Sequence, residues 1–213
     1  MDSTNFINQL FDRLDQWKEF PTYQLERRVD IFFALYLPLI LKAELNFNAD
    51  RILPEFPVRV GDMEGKENTN RSNRIDYVAV DKAQKKVLLI ELKTDQKSLR
   101  QEQIEYLDFA HKSGVKSLID GFKKIKENSK AKDKYAAFEK ELNDLQWNIP
   151  EIASSYSTEI VFIAPRNEGI IEEFSVISFE TIAGILEKTF DPVAHRFASS
   201  LRNWANDKAN RAD

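Results

Sequence analysis

Two short apolar runs constrain this chain more than anything else in it: Ile75-Asp76-Tyr77-Val78-Ala79-Val80 and Val87-Leu88-Leu89-Ile90-Glu91-Leu92, joined by a polar segment over 81–86. Both are rich in the valine, isoleucine and leucine that favour strands. Both are also apolar on each alternating face, and such strands are normally covered by helices on both sides of a sheet. With the turn centred between Ala83 and Gln84, an antiparallel register pairs Val80 with Val87 and, stepping outward, Asp76 with Glu91. A bulge would shift that register by one residue. Side chains alternate along a strand, so Lys93 projects to the same face as Glu91.

The surrounding chain supplies the covering helices. Ile7, Leu10, Leu14 and Trp17 recur at helical spacing behind Ser3 or Thr4 as a cap. A second helix is expected from Thr22 to about Leu45, bent or divided at Pro38; it is apolar on nearly every face, which predicts deep burial. A strand over about 52–60 contains Pro54 and Pro57, which places it at a sheet edge or gives it a bulge. Beyond the hairpin, helical patterns run from about Ser98 to Asn128, with a break near Gly114, and from about Lys132 to Leu145. Strands follow at about 159–164 and 173–177, then a helix capped by Ser178. A last helix opens on Asp191-Pro192, with Val193, Phe197, Leu201 and Trp204 as its buried stripe. The 213 residues are 42% hydrophobic, enough for one sizeable core, and no linker or repeat divides them. The expected fold is therefore α/β, a single domain over 1–213 with a central mixed sheet, helices on both faces, and extra N- and C-terminal helices.

Composition excludes several kinds of chemistry. There is no cysteine, which rules out disulfides, thiolate metal sites and thiol nucleophiles and fits a reducing, cytoplasmic compartment. The N-terminus lacks a basic segment followed by an apolar run, so no secretory signal is evident, and the apolar stretch 29–41 is too short to span a bilayer. No membrane partner is expected. His111 and His195 lie far apart with no HExxH spacing, and neither a GxSxG elbow, a P-loop nor a dinucleotide fingerprint is present. The net charge of −4 does not advertise a nucleic-acid binder, so any basic surface must be local. From Lys112 to Lys134 there are eight lysines against Asp120, Glu127 and Asp133, a run that suits either a basic flank or a solvated helix face.

The chemistry concentrates at one end of the hairpin. Two carboxylates and an ammonium there are costly to bury unless a metal or mutual pairing offsets their lost hydration. Oxygen ligands without cysteine or clustered histidine suit Mg²⁺ or Mn²⁺, which retain waters and take phosphate oxygens as further ligands. That coordination fits phosphodiester cleavage, with Lys93 orienting the nucleophile, stabilising transition-state charge or, if deprotonated, acting as general base. The bland alternative is a carboxylate–lysine pair at a sheet edge, since ExK is a common tripeptide.

The order of elements is more specific than the tripeptide. A helix carrying an acid, a strand, a strand with Asp76, a strand ending Glu91-Leu92-Lys93 and then a helix resembles the PD-(D/E)XK nuclease superfamily over about residues 22–127. Asp76 and Glu91 are separated by fourteen residues, and Ile75 stands where the family's name has proline. The resemblance implies a restriction-endonuclease-like core, metal ligation by Asp76, Glu91 and the Leu92 carbonyl, and DNA rather than RNA as substrate. It also implies a glutamate on the preceding helix, best matched by Glu26, with Asp30 one turn later as the substitute. An acid in a first helical turn is equally well explained by the dipole. Some relatives carry a glutamine and a tyrosine on the helix after ExK, which suggests Gln103 and Tyr106 as substrate-binding residues, although their spacing departs from Q-x-x-x-Y. The helical region 98–145 is a candidate substrate or partner surface. A non-cleaving binding or regulatory module and a purely structural domain remain the rival readings.

Overall fold

A computed structural model of the chain describes residues 2–65, 69–95, 99–167 and 174–206. It is an α/β protein with a five-stranded mixed sheet and flanking helices. The strands are β1 (Arg51–Arg59), β2 (Ser72–Asp81), β3 (Lys86–Leu92), β4 (Ser157–Ala164) and β5 (Ser175–Ser178), in the spatial order β1-β2-β3-β4-β5. The helices are α1 (Ser3–Trp17), α2 (Glu26–Leu45), α3 (Val60–Glu64), α4 (Gln101–Glu127), α5 (Ala136–Asp144), α6 (Pro150–Ser154), α7 (Phe179–Leu186) and α8 (Pro192–Ala205), with a 3-10 turn at Lys132–Tyr135 before α5. The chain divides into two compact units, Ala49–Glu91 with Arg100–Ile160, and Met1–Asn48 with Leu92–Leu99 and Val161–Asp213.

In the first unit, β1 and β2 are antiparallel with Arg51 opposite Val80 and Arg59 opposite Ser72. β1 lies at the sheet edge, where Pro54 and Pro57 leave no central ladder bond unmade. The register of the β2–β3 hairpin sets Val80 against Val87 and Tyr77 against Ile90 without a bulge. Asp81 ends β2 by accepting from the Gln84 amide at 2.8 Å, and Lys85 takes a φ of +48° at the turn. Val78, Ala79, Val80, Leu88, Leu89 and Ile90 are all buried, so both faces of the hairpin are covered as their sequence requires. α4 carries a non-helical residue at Gly114 (φ 73°, ψ 170°), the break that its glycine predicts; an L-side chain would be strained at that φ. Phe122 of α4 meets both Phe138 of α5, at 5.6 Å between centroids, and Tyr135 at 5.8 Å. The predicted helix start at Ser98 falls outside the described residues, and the short helices α3 and α6 were not expected.

β4 runs parallel to β3, because Ser157 donates to Lys85 O at one end and Lys93 donates to Ile163 O at the other. β5 is parallel to β4, with Ile163 opposite Ile177; residue 173 of its predicted span falls outside the described residues.

The second unit is organised around aromatic side chains. Phe197 of α8 is fully buried and lies 5.1 Å from Phe33 of α2, 5.8 Å from Phe11 of α1 and 6.1 Å from Trp204. Phe33 also meets Phe179 of α7 at 5.6 Å. Ser178 caps α7 through the Thr181 amide, and Asp191 caps α8 through the Val193 amide, as their positions predict.

Several expectations about the first two helices fail. Asp2, rather than Ser3 or Thr4, caps α1 by accepting from the Asn5 amide at 2.8 Å, and its buried positions are Phe11 and Leu14. α2 begins at Glu26, four residues after the predicted Thr22, and continues through Pro38. Its burial is one-sided: Val29, Phe33, Leu37 and Ile40 are enclosed, whereas Ile31 and Leu35 keep 65% and 62% of their surface exposed. An apolar sequence on every face showed only what the helix could bury; the neighbouring elements cover one side of it.

Candidate functional site

The strand-rich unit holds two of the expected carboxylates. The β2–β3 pairing runs out to Tyr77–Ile90, so Asp76 and Glu91 are the next residue on each strand and, by alternation, belong to the same face of the hairpin. Glu91 is 1% exposed and Asp76 is half-buried. Both Glu91 oxygens accept hydrogen bonds from the first turns of α4. Gln103 Nε2 donates to Oε1 at 2.8 Å, and Tyr106 OH lies 2.8 Å from Oε2. Tyr106 OH also lies 3.0 Å from the Arg74 carbonyl. A hydroxyl has one proton, and the shorter, charged acceptor is the stronger. Gln103 and Tyr106 share one face of α4 because residues three apart are helical neighbours. Gln103 is itself fixed by accepting from the Arg100 amide at the start of α4.

Glu55 has no counterpart among the sequence-derived candidates. It occupies the β1 position that the register sets against Asp76, with a φ of +53° and its carboxylate paired to Arg74 at 3.1 Å. No motif marks it. Only the β1–β2 pairing brings it forward.

In the helix-rich unit, Lys93 is 4% exposed. Its ammonium lies 3.8 Å from Glu26 Oε2 and donates to the Leu92 carbonyl at 3.0 Å. A buried ammonium requires such acceptors to offset its lost hydration. Glu26 occupies the first turn of α2, while Asp30, the substitute, is exposed and accepts from the Ile31 amide. The Leu92 carbonyl, expected as a metal ligand, is thus engaged by Lys93; a carbonyl oxygen retains a second lone pair.

The residue types suit a hard divalent cation: carboxylate oxygens on facing strands, with no sulfur or imidazole beside them. Each Glu91 oxygen has capacity beyond the bond it accepts from α4. Among the described residues, no group of three or more histidine, aspartate or glutamate side chains is placed to hold a metal ion. Mg²⁺ does not demand three, because it is commonly held by one or two carboxylates, waters and substrate phosphates. No described helix is long and apolar enough to cross a membrane.

The architecture defines the chain as an α/β protein with a mixed sheet. No family model, curated protein or solved structure matches it.

Proposed function

We propose that this protein is a metal-dependent nuclease with a restriction-endonuclease-like core, hydrolysing phosphodiester bonds in DNA. The observation that carries the reading is buried Glu91, oriented by Gln103 and Tyr106, one residue beyond the Tyr77–Ile90 pair, with Asp76 as the next residue on the other strand. Asp76 and Glu91 would hold Mg²⁺ or Mn²⁺, with Glu26 and the Leu92 carbonyl as the further ligands that the sequence resemblance implies. A bound cation would supply Lewis acidity toward a phosphate oxygen and would promote deprotonation of water. Gln103 and Tyr106 keep the Glu91 carboxylate in one orientation. Lys93, two residues along from Glu91, has the charge to orient the attacking oxygen or to stabilise the negative charge that develops on phosphorus-bound oxygens.

Linear, circular and single-stranded DNA, and RNA, are incubated with the protein in Mg²⁺ or Mn²⁺. Cleavage of DNA that disappears in Asp76→Ala and Glu91→Gln is expected. Equal cleavage by wild type and Asp76→Ala refutes the assignment. One observation favours a second reading, a catalytically inactive nuclease-like module that binds nucleic acid or regulates a partner: both Glu91 oxygens already accept hydrogen bonds. That reading predicts binding of nucleic acid or of a protein partner with no cleavage under any of these conditions.

A further inference from the structure

The strand-rich unit has a corner in which basic residues outnumber their local partners. Between residues 123 and 140 the chain holds seven lysines and three acids. Packing gathers this segment: Phe122 stacks on Phe138, Tyr135 meets Phe122 edge-on, and Lys126 bonds both Glu139 oxygens at 2.6 Å. The end of α4, the 3-10 turn and α5 are therefore held together.

Local acids engage only some of these lysines. Lys126 is matched by Glu139 and Lys124 by Asp62 at 3.0 Å. Lys123, Lys130, Lys132, Lys134 and Lys140 are exposed and have no ion pair among the described residues, and the remaining acids of the segment are Glu127 and Asp133. Complementing the α4 dipole explains cations in its last turn, such as Lys124 and Lys126. It does not explain Lys130, Lys132, Lys134 and Lys140, which lie beyond the end of that helix on the following loop, turn and α5. Seven lysines against three acids give this segment an excess of four positive charges on a chain whose net charge is −4.

We infer that Lys123, Lys130, Lys132, Lys134 and Lys140 form a phosphate-backbone docking surface for duplex DNA, independent of base sequence. The inference rests on the nuclease reading and adds a place where substrate is held. Lysine ammoniums contact phosphates as point charges and carry no base code, whereas base-specific contacts come from groups that reach base edges. Duplex is favoured over single strand on two grounds. Duplex carries the denser charge, about one phosphate per 1.7 Å of axis, so each neutralising lysine releases more counterion. Single-strand sites also present ring faces on which bases stack. The local aromatics Tyr135 and Phe138 are both half-buried with their rings engaged, Tyr135 against Phe122 with the Lys134 ammonium 4.8 Å from its centroid, and Phe138 against Phe122 and Phe56.

The test compares two charge-matched triples by anisotropy with a short labelled duplex of arbitrary sequence, in EDTA, over a KCl series. One triple is Lys130→Gln, Lys132→Gln and Lys134→Gln; the other is Lys82→Gln, Lys85→Gln and Lys188→Gln, at exposed sites elsewhere. Each lost phosphate contact lowers the slope of log K against log salt by ~0.9, so the first triple should lower it by about 2 or more and weaken binding tenfold or more at ~0.1 M salt. The second triple should bind like wild type. Equal weakening by both triples overturns the surface, since net charge alone would then account for binding; so does a wild type that binds no duplex. Selective loss in the first triple, with no cleavage by wild type in Mg²⁺ or Mn²⁺, supports the surface and rejects the nuclease reading. Cleavage that depends on Asp76, with duplex binding unchanged in the first triple, rejects the surface and leaves the nuclease reading in place.

Discussion

Tyr106→Phe removes one oxygen from the most enclosed part of the candidate site, and its cost follows from the geometry. The Tyr106 hydroxyl lies 2.8 Å from Glu91 Oε2, and the two residues are 4% and 1% exposed. Hydrogen bonds to charged groups contribute about 1.5–3 kcal/mol, and water cannot readily replace the lost donor here, so the expected loss is about 2–3 kcal/mol. The same change in a Glu91→Gln background should cost only about 1 kcal/mol, because a neutral acceptor forms the weaker bond. A double-mutant cycle measured by urea denaturation, without divalent cations, should therefore give a coupling of about 1–2 kcal/mol. The cycle cancels whatever else Glu91 touches. If Tyr106→Phe costs less than about 0.5 kcal/mol, or costs the same in both backgrounds, the claim that Tyr106 orients a charged Glu91 is wrong.

Two further outcomes follow from the helix-rich unit. Tyr36 donates to Asp191 Oδ2 at 2.6 Å, and that bond, ahead of the Val193 and Ala194 amides, holds the Asp191 carboxyl below its ordinary range. A depressed carboxyl contributes stability above its unfolded pKa and loses it as pH falls through the folded one; Tyr36→Phe should therefore cost about 1–2 kcal/mol at pH 7 and progressively less below about pH 4, read from denaturation midpoints against pH. On α2, Leu37 is fully buried and Leu35 is 62% exposed, so Leu37→Ala should cost about 2–5 kcal/mol and Leu35→Ala less than about 0.5, with comparable losses counting against the one-sided packing.

The hairpin was legible because its determinants are local. Apolar runs of strand length, a polar turn of fixed size and the two-residue alternation set the Val80–Val87 register before any distant contact is considered. Helix ends were legible where a capping residue stands at the right offset, as at Ser178 and Asp191. The start of α2 and the cap of α1 were not, since several residues near each boundary could serve and packing chose among them.

Composition alone could never decide which apolar surface is used. Ile31, Leu35 and Phe33 are all strongly apolar, yet Phe33 is fully buried with its ring against Phe179 and Phe197 while Ile31 and Leu35 keep most of their surface exposed. Burial depends on what the rest of the chain brings alongside, and that is a property of the tertiary structure. The same holds for the candidate site. Sequence named Asp76, Glu91, Lys93, Glu26, Gln103 and Tyr106, but side chains twelve and fifteen residues further along the chain reach the two oxygens of the Glu91 carboxylate only through tertiary packing. Sequence determined the strand pair and the chemical groups it carries. The tertiary structure decided their partners, because hydrogen bonds and burial are fixed by distance in space and not along the chain.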